Sequence, residues 1–182
     1  MLMIKKKPQG VALLAAMLLL AGGQAAAADS ENMYFHGTLV AEPCVIPPGE
    51  EEISLDFGTI VDKYLYLNTR TLSRPFTLHL TECDTSLGNT VTVTFSGTEN
   101  SHLPGLLAID SGSAASGIAV GLETQDGQAL QLNKATSKYQ LTDGSNTISL
   151  QAYVQGEPDA ITNKTIGRGT FSAAATFSLA YE

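Results

Sequence analysis

The last fourteen residues, Gly169–Glu182, read GTFSAAATFSLAYE. Alternate positions are Gly169, Phe171, Ala173, Ala175, Phe177, Leu179 and Tyr181, with Thr, Ser and Ala between them. Period two belongs to a strand with one buried face. Seven same-face positions predict a strand of roughly 40 Å at about 3.3 Å per residue. It closes the chain with no turn and no hairpin partner after it. A long apolar strand with a bare edge is a template for another chain, and monomers usually protect such edges. The expectation is an interior that this sequence does not seal by itself.

Upstream, short alternating runs recur between Gly, Asn, Asp and Pro, and helical periodicity is almost absent. The runs are Met33–Leu39, Ile53–Phe57, Pro75–Thr81, Val91–Phe95, Ile118–Leu122, Leu130–Leu132 and Ile148–Val154. Pro47-Pro48-Gly49, Gly127 and Asp143-Gly144 punctuate them. The pattern predicts one all-β sandwich without internal repeat or linker, with Ser111–Gly117 as a loop inside it. On pattern alone Met33–Leu39 reads as an ordinary edge strand.

The N-terminus has a different character. Lys5, Lys6 and Lys7 precede the apolar run Val11–Ala21, and Ala26-Ala27-Ala28 follows. This is the layout of a secretory signal peptide. The run is short of the roughly 20 apolar residues that a membrane span needs. Cleavage after Ala28 would leave 154 residues and seven basic against 18 acidic side chains, a net charge of −11 instead of −8. An acidic chain without a basic stripe argues against nucleic-acid binding and against an anionic membrane surface. In an exported protein the even pair Cys44 and Cys83 reads as a disulfide.

No catalytic constellation is legible. There is no Gly-x-Ser-x-Gly elbow and no phosphate loop. His36, His79 and His102 are scattered, without metal-ligand spacing. Glu50–Glu52, beside the prolines, read as a solvated turn. Asp56-Phe57-Gly58 matches a kinase tripeptide without its companion loops, and Asn163-Lys164-Thr165 is a formal glycosylation sequon. Neither enzyme, cofactor nor metal is expected.

Four features together resemble the pilins of the chaperone–usher pathway. They are Asn32–Cys44 (NMYFHGTLVAEPC), Leu78–Cys83 (LHLTEC), the middle blocks Phe95–Thr98 and Gly117–Leu122, and the C-terminus, with Gly169 fourteenth from the end and Tyr181 penultimate. The resemblance implies an incomplete immunoglobulin-like β-sandwich lacking its final strand, completed by donor-strand complementation. It divides the chain into a signal peptide (1–28), an N-terminal extension (29–43) and the pilin domain (44–182). It makes Met33, Phe35, Gly37 and Leu39 a donor strand for a neighbour's groove. Gly37 would pass where that groove is shallow. Gly169, Phe171, Ala173, Ala175, Phe177, Leu179, Tyr181 and Glu182 become the acceptor-groove and chaperone-binding strand. The implied partners are a periplasmic chaperone, an outer-membrane usher and neighbouring subunits, and the implied destination is a surface pilus. The extension, Asp29–Pro43, is short for the family and points to a minor tip or adaptor subunit. Two other readings stand beside this one. A receptor-binding adhesin would carry an added lectin domain, for which the chain has no room. A self-complete secreted sandwich would run as a soluble monomer.

Overall fold

The computed structural model describes residues 35–182. The expected signal peptide and Met33 lie outside these residues. The chain divides between Thr38 and Leu39 into two units. In the first, the described residues 35–38 are irregular and exposed. The second, Leu39–Glu182, holds every described strand and helix.

Five main strands carry the sandwich: β1 (Arg74–Cys83), β2 (Thr90–Ser96), β4 (Leu103–Ala108), β5 (Ile118–Thr124) and β8 (Gly144–Gly156), with two-residue strands β3 (Glu99–Asn100), β6 (Ala129–Leu130) and β7 (Tyr139–Gln140) at their margins. The last is β9 (Thr176–Tyr181). One sheet runs β1-β8-β5-β4-β3, with β6 on β5, and the other runs β7-β2-β9. The named pairings are all antiparallel.

The period-two reading locates the core. On β8, Ile148, Leu150, Ala152 and Val154 are buried in alternation, and Phe76, Val120 and Leu122 on β1 and β5 face them in register. Val91 and Val93 of β2 close the core from the other sheet, fully buried with Leu80, Leu132, Leu150 and Val154. Side chains pack across the two inner faces as in any aligned sandwich. Tyr153 points to the opposite face of β8, over Gly121 of β5; a Cβ at Gly121 would fall 2.2 Å from its ring. The glycine is what lets that ring lie flat against the sheet.

A bulge decides where the second cysteine points. Leu78 and Leu80 are buried, so strict alternation would turn Glu82 inward and Cys83 outward. Glu82 instead takes a φ of 53°, and the register with β8 slips between Leu80 and Cys83. The extra residue restores Cys83 to the core face, where it forms a disulfide with Cys44. Val45, next along, bridges to Thr81 with both backbone bonds at 2.8 Å.

Four expectations change. Two short helices are present that no helical period announced, α1 (Asp62–Asn68) and α2 (Pro158–Asn163). Six or seven residues are too few to show a period; α2 is marked by Pro158 at its first turn and a left-handed Lys164 at its end. The expected strand over Ile53–Phe57 is not laddered, and among the described residues 51–60 make no backbone–backbone hydrogen bond. The expected strand over 169–181 pairs only from Thr176. Nor do residues 35–39 form a strand. Ile53–Phe57 and residues 169–175 have strand-like sequence, but each lacks a laddered strand partner in this chain, the second being held only by isolated backbone bonds to residues 110–115.

Candidate groove between two unjoined walls

Those two stretches face each other. Residues 51–60 form one wall of an open groove and residues 169–177 the other, enclosing about 1210 Å³. The floor is apolar, with Phe76, Phe95, Leu107, Val120, Leu122 and Ala152 contributed by both sheets. Phe76 and Phe95 meet edge to face, ring centres 6.2 Å apart, the arrangement aromatic quadrupoles favour. Along the first wall Leu55, Phe57 and Ile60 are half-buried while their neighbours are exposed. Along the second, Phe171, Ala173 and Phe177 are half-buried and Ala175 is exposed. Phe57 and Phe171 touch across the groove, ring centres 6.2 Å apart.

The second wall is well anchored. From Thr176 onward it ladders onto β2, with Phe177 opposite Phe95, Leu179 opposite Val93 and Tyr181 opposite Val91. Ahead of that, Asp110 N–H donates to Ser172 O at 2.8 Å, and the N–H groups of Ala114 and Ala115 both donate to Thr170 O. This close approach explains the glycine. Gly169 has φ +149°, and a Cβ there would stand 2.6 Å from Ala114 Cβ. A smaller cavity of about 200 Å³ adjoins at that end, sharing Ile60, Gly169 and Phe171 with the groove and adding Leu65, Ile118, Val154 and Ile166. Arg168 and Asp62 border it; the Arg168 Nη2–Asp62 Oδ2 bond is 2.6 Å, and the guanidinium holds the Asp62 carboxyl below its ordinary range.

Of the residues singled out by sequence, Gly169, Phe171, Ala173, Ala175 and Phe177 come together on one wall. Leu179 and Tyr181 continue the same face beyond it, half-buried, and burial pushes the Tyr181 phenol up. Glu182 ends the ladder. Its N–H donates to Thr90 O, its own oxygen accepts from the N–H groups of Asn89 and Thr90, and its carboxylate pairs with Lys138. Phe35, Gly37 and Leu39 are exposed. Sequence reasoning missed the opposite wall. The alternation of Ile53, Leu55 and Phe57 was the available signal, but a period-two run does not say whether its ladder partner belongs to the same chain. Among the described residues no cluster of His, Cys, Asp and Glu could hold a metal, and no helix is long and apolar enough to cross a membrane.

The groove is the space one strand would fill between two walls of a sandwich. Known proteins with this architecture agree. The family model described as fimbrial protein matches residues 33–182. The chain is 34% identical over 160 residues to the Fimbria A protein of Serratia marcescens, covering 87% of this chain and 89% of that one. It is 33% identical over 164 residues to the fimbrial adapter PapK of Escherichia coli, covering 86% and 91%. The fold is that of the P pilus rod subunit PapA, with a TM-score of 0.67 at 23% identity, over 78% of this chain and 100% of that one. A subunit of a chaperone–usher pilus superposes with the same score over 98% of this chain. With the match spanning residues 33–182 and the fold lacking one strand, the chain belongs to the fimbrial protein family and is a structural pilus subunit with an incomplete immunoglobulin-like sandwich.

Proposed function

We propose that this subunit polymerises by receiving a neighbour's N-terminal extension in the groove between residues 51–60 and 169–177 and lending its own, residues 29–43, to the next subunit. The observation that carries the reading is the pair of strand-like walls with no ladder between them over an apolar floor. An inserted strand would gain main-chain bonds from both walls and side-chain fit from alternate positions, the mode the handful of β-augmentation systems share, donor-strand complementation among them. In the donor, Met33, Phe35 and Leu39 supply apolar bulk and Gly37 supplies the one step without a side chain. A glycine suits the place where Phe57 and Phe171 already meet across the groove.

Before assembly the exposed groove is an aggregation hazard. A periplasmic chaperone donating a strand of its own and an outer-membrane usher catalysing its replacement would answer that hazard, and the signal-like N-terminus supplies the route. The pilus on the cell surface, and a role in adhesion, is the destination. The fifteen-residue extension favours a minor or adaptor position.

The test is the oligomeric state of the exported chain and of Gly37→Arg. The wild type is expected to form concentration-dependent oligomers in size-exclusion chromatography. The variant is expected to stop at species whose grooves still accept a synthetic 29–43 peptide. A wild-type monomer that takes up no peptide at any concentration would overturn the reading.

A further inference from the structure

The two walls of the groove are held in different ways. Residues 169–177 are fixed by backbone bonds to Asp110, Ala114 and Ala115 and by the β2 ladder. The facing wall has no backbone ladder. Beyond apolar contact, it hangs from side chains of β1, the edge strand of the larger sheet. Arg74 Nη2 donates to the carbonyl of Phe57 at 3.1 Å. At the other end, His79 Nδ1 donates to the Glu50 carboxylate at 2.6 Å. Arg74 and His79 lie five residues apart, on opposite faces of the strand, so one bond grips the wall at Phe57 and the other grips Glu50, the residue that leads into it.

Both bonds draw the wall towards β1. Apolar burial draws it the other way: Phe57 already touches Phe171 across the gap, and further closure would remove more half-buried surface from water. A groove that closed on itself would leave no room for a strand, which must sit about 4.8 Å from each neighbour. We propose that Arg74 and His79 are positioning residues that hold the unladdered wall back, so that the empty groove stays wide enough to admit a donor strand. The inference rests on the strand-exchange reading and names the side chains that prepare its acceptor.

The chain has no tryptophan, so the assay uses a fluorophore-labelled 29–43 peptide and anisotropy, with the exported chain kept dilute and the peptide in excess of the chain's own extension. In the double variant Arg74→Ala/His79→Ala the association rate is expected to fall about three- to tenfold, the scale of one or two exposed hydrogen-bonded pairs. The dissociation rate stays unchanged, because in the filled groove the donor's own ladder positions the wall. Arg74→Lys with His79→Gln keeps a donor at each position and restores the rate. In a His79→Ala background, Glu50→Ala adds nothing further. An unchanged association rate overturns the proposal, as does a loss that appears in dissociation or tracks thermal stability. Failure of the wild type to bind peptide overturns strand exchange itself, and this inference with it.

Discussion

Phe177→Ala separates the contribution of a groove residue to the lone subunit from its contribution to the filled one. In the lone subunit Phe177 is half-buried, laddered opposite Phe95 and open to solvent on its groove side. Full burial of a phenylalanine relative to exposure is worth ~1.5–3 kcal/mol, so a half-buried ring contributes ~1–1.5 kcal/mol here. Once a donor strand covers the groove, the same ring becomes a core residue, and truncating a core phenylalanine costs ~3–5 kcal/mol including the cavity left behind. The difference, ~2 kcal/mol or somewhat more, appears as lost donor affinity. At about 1.4 kcal/mol per factor of ten it amounts to about 30-fold or more in Kd for the 29–43 peptide. Denaturant unfolding of the variant without peptide gives the first term, and peptide titration gives the second. Equal losses in the two states would refute the reasoning, since they would mean that the solvent-facing side of Phe177 gains no cover from the donor.

Two further outcomes follow from the rest of the fold. Replacing Cys44 and Cys83 by serine opens a crosslink between positions 39 residues apart. By chain entropy this costs roughly 4 kcal/mol, enough to remove most of the stability of a marginal domain, and is read by denaturant midpoint under oxidising and reducing conditions. Glu123 gives a pH dependence. Burial alone would push its carboxyl up, but bonds from Arg70 and Ser73 outweigh that, and the net direction is downward. A carboxyl depressed in the folded state contributes stability above its unfolded value that is lost as pH falls through the folded one. The wild type should therefore lose stability on acidification below about pH 4. Glu123→Gln should show a shallower slope there and, at neutral pH, a cost of ~2 kcal/mol for exchanging the charge-assisted bonds from Arg70 and Ser73 for neutral ones. Identical slopes in the two proteins would count against the assignment.

The sandwich was legible because its strands bury one face each, and burial is what period two reports. Ile148–Val154 and Val91–Phe95 were read as alternating runs, and their apolar side chains are the ones buried. The C-terminal stretch was legible as strand-like but not in its pairing. Phe171 and Ala173 alternate as well as Phe177 and Leu179 do, yet only the latter find a ladder partner in this chain. Ile53–Phe57 misled for the same reason. Side-chain period records which face will be covered, and carries nothing about which backbone will lie alongside. The helices α1 and α2 were invisible because they are shorter than two full turns. The bulge at Glu82 was invisible because it breaks the alternation by one residue beside a cysteine whose inward direction only the disulfide explains.

The distribution of burial bears on how strand exchange could proceed without unfolding the subunit. The fully buried side chains Leu80, Val91, Val93, Leu150 and Val154 are not among those that line the groove. The incompletely buried ones, Leu55, Phe57, Phe171 and Phe177, are on its walls. A subunit built this way keeps an inner layer that is packed before any donor arrives, while the donor completes an outer layer that water still reaches. Removing one donor and inserting another then perturbs only the outer layer, so the free energy exchanged is that of the wall residues and their ladder bonds, not that of the whole core. On this view the permanence of the link is set on the walls. Substitutions at Phe57 or Phe177 should change donor lifetime far more than they change the stability of the empty subunit, whereas substitutions at Leu150 or Val93 should do the reverse.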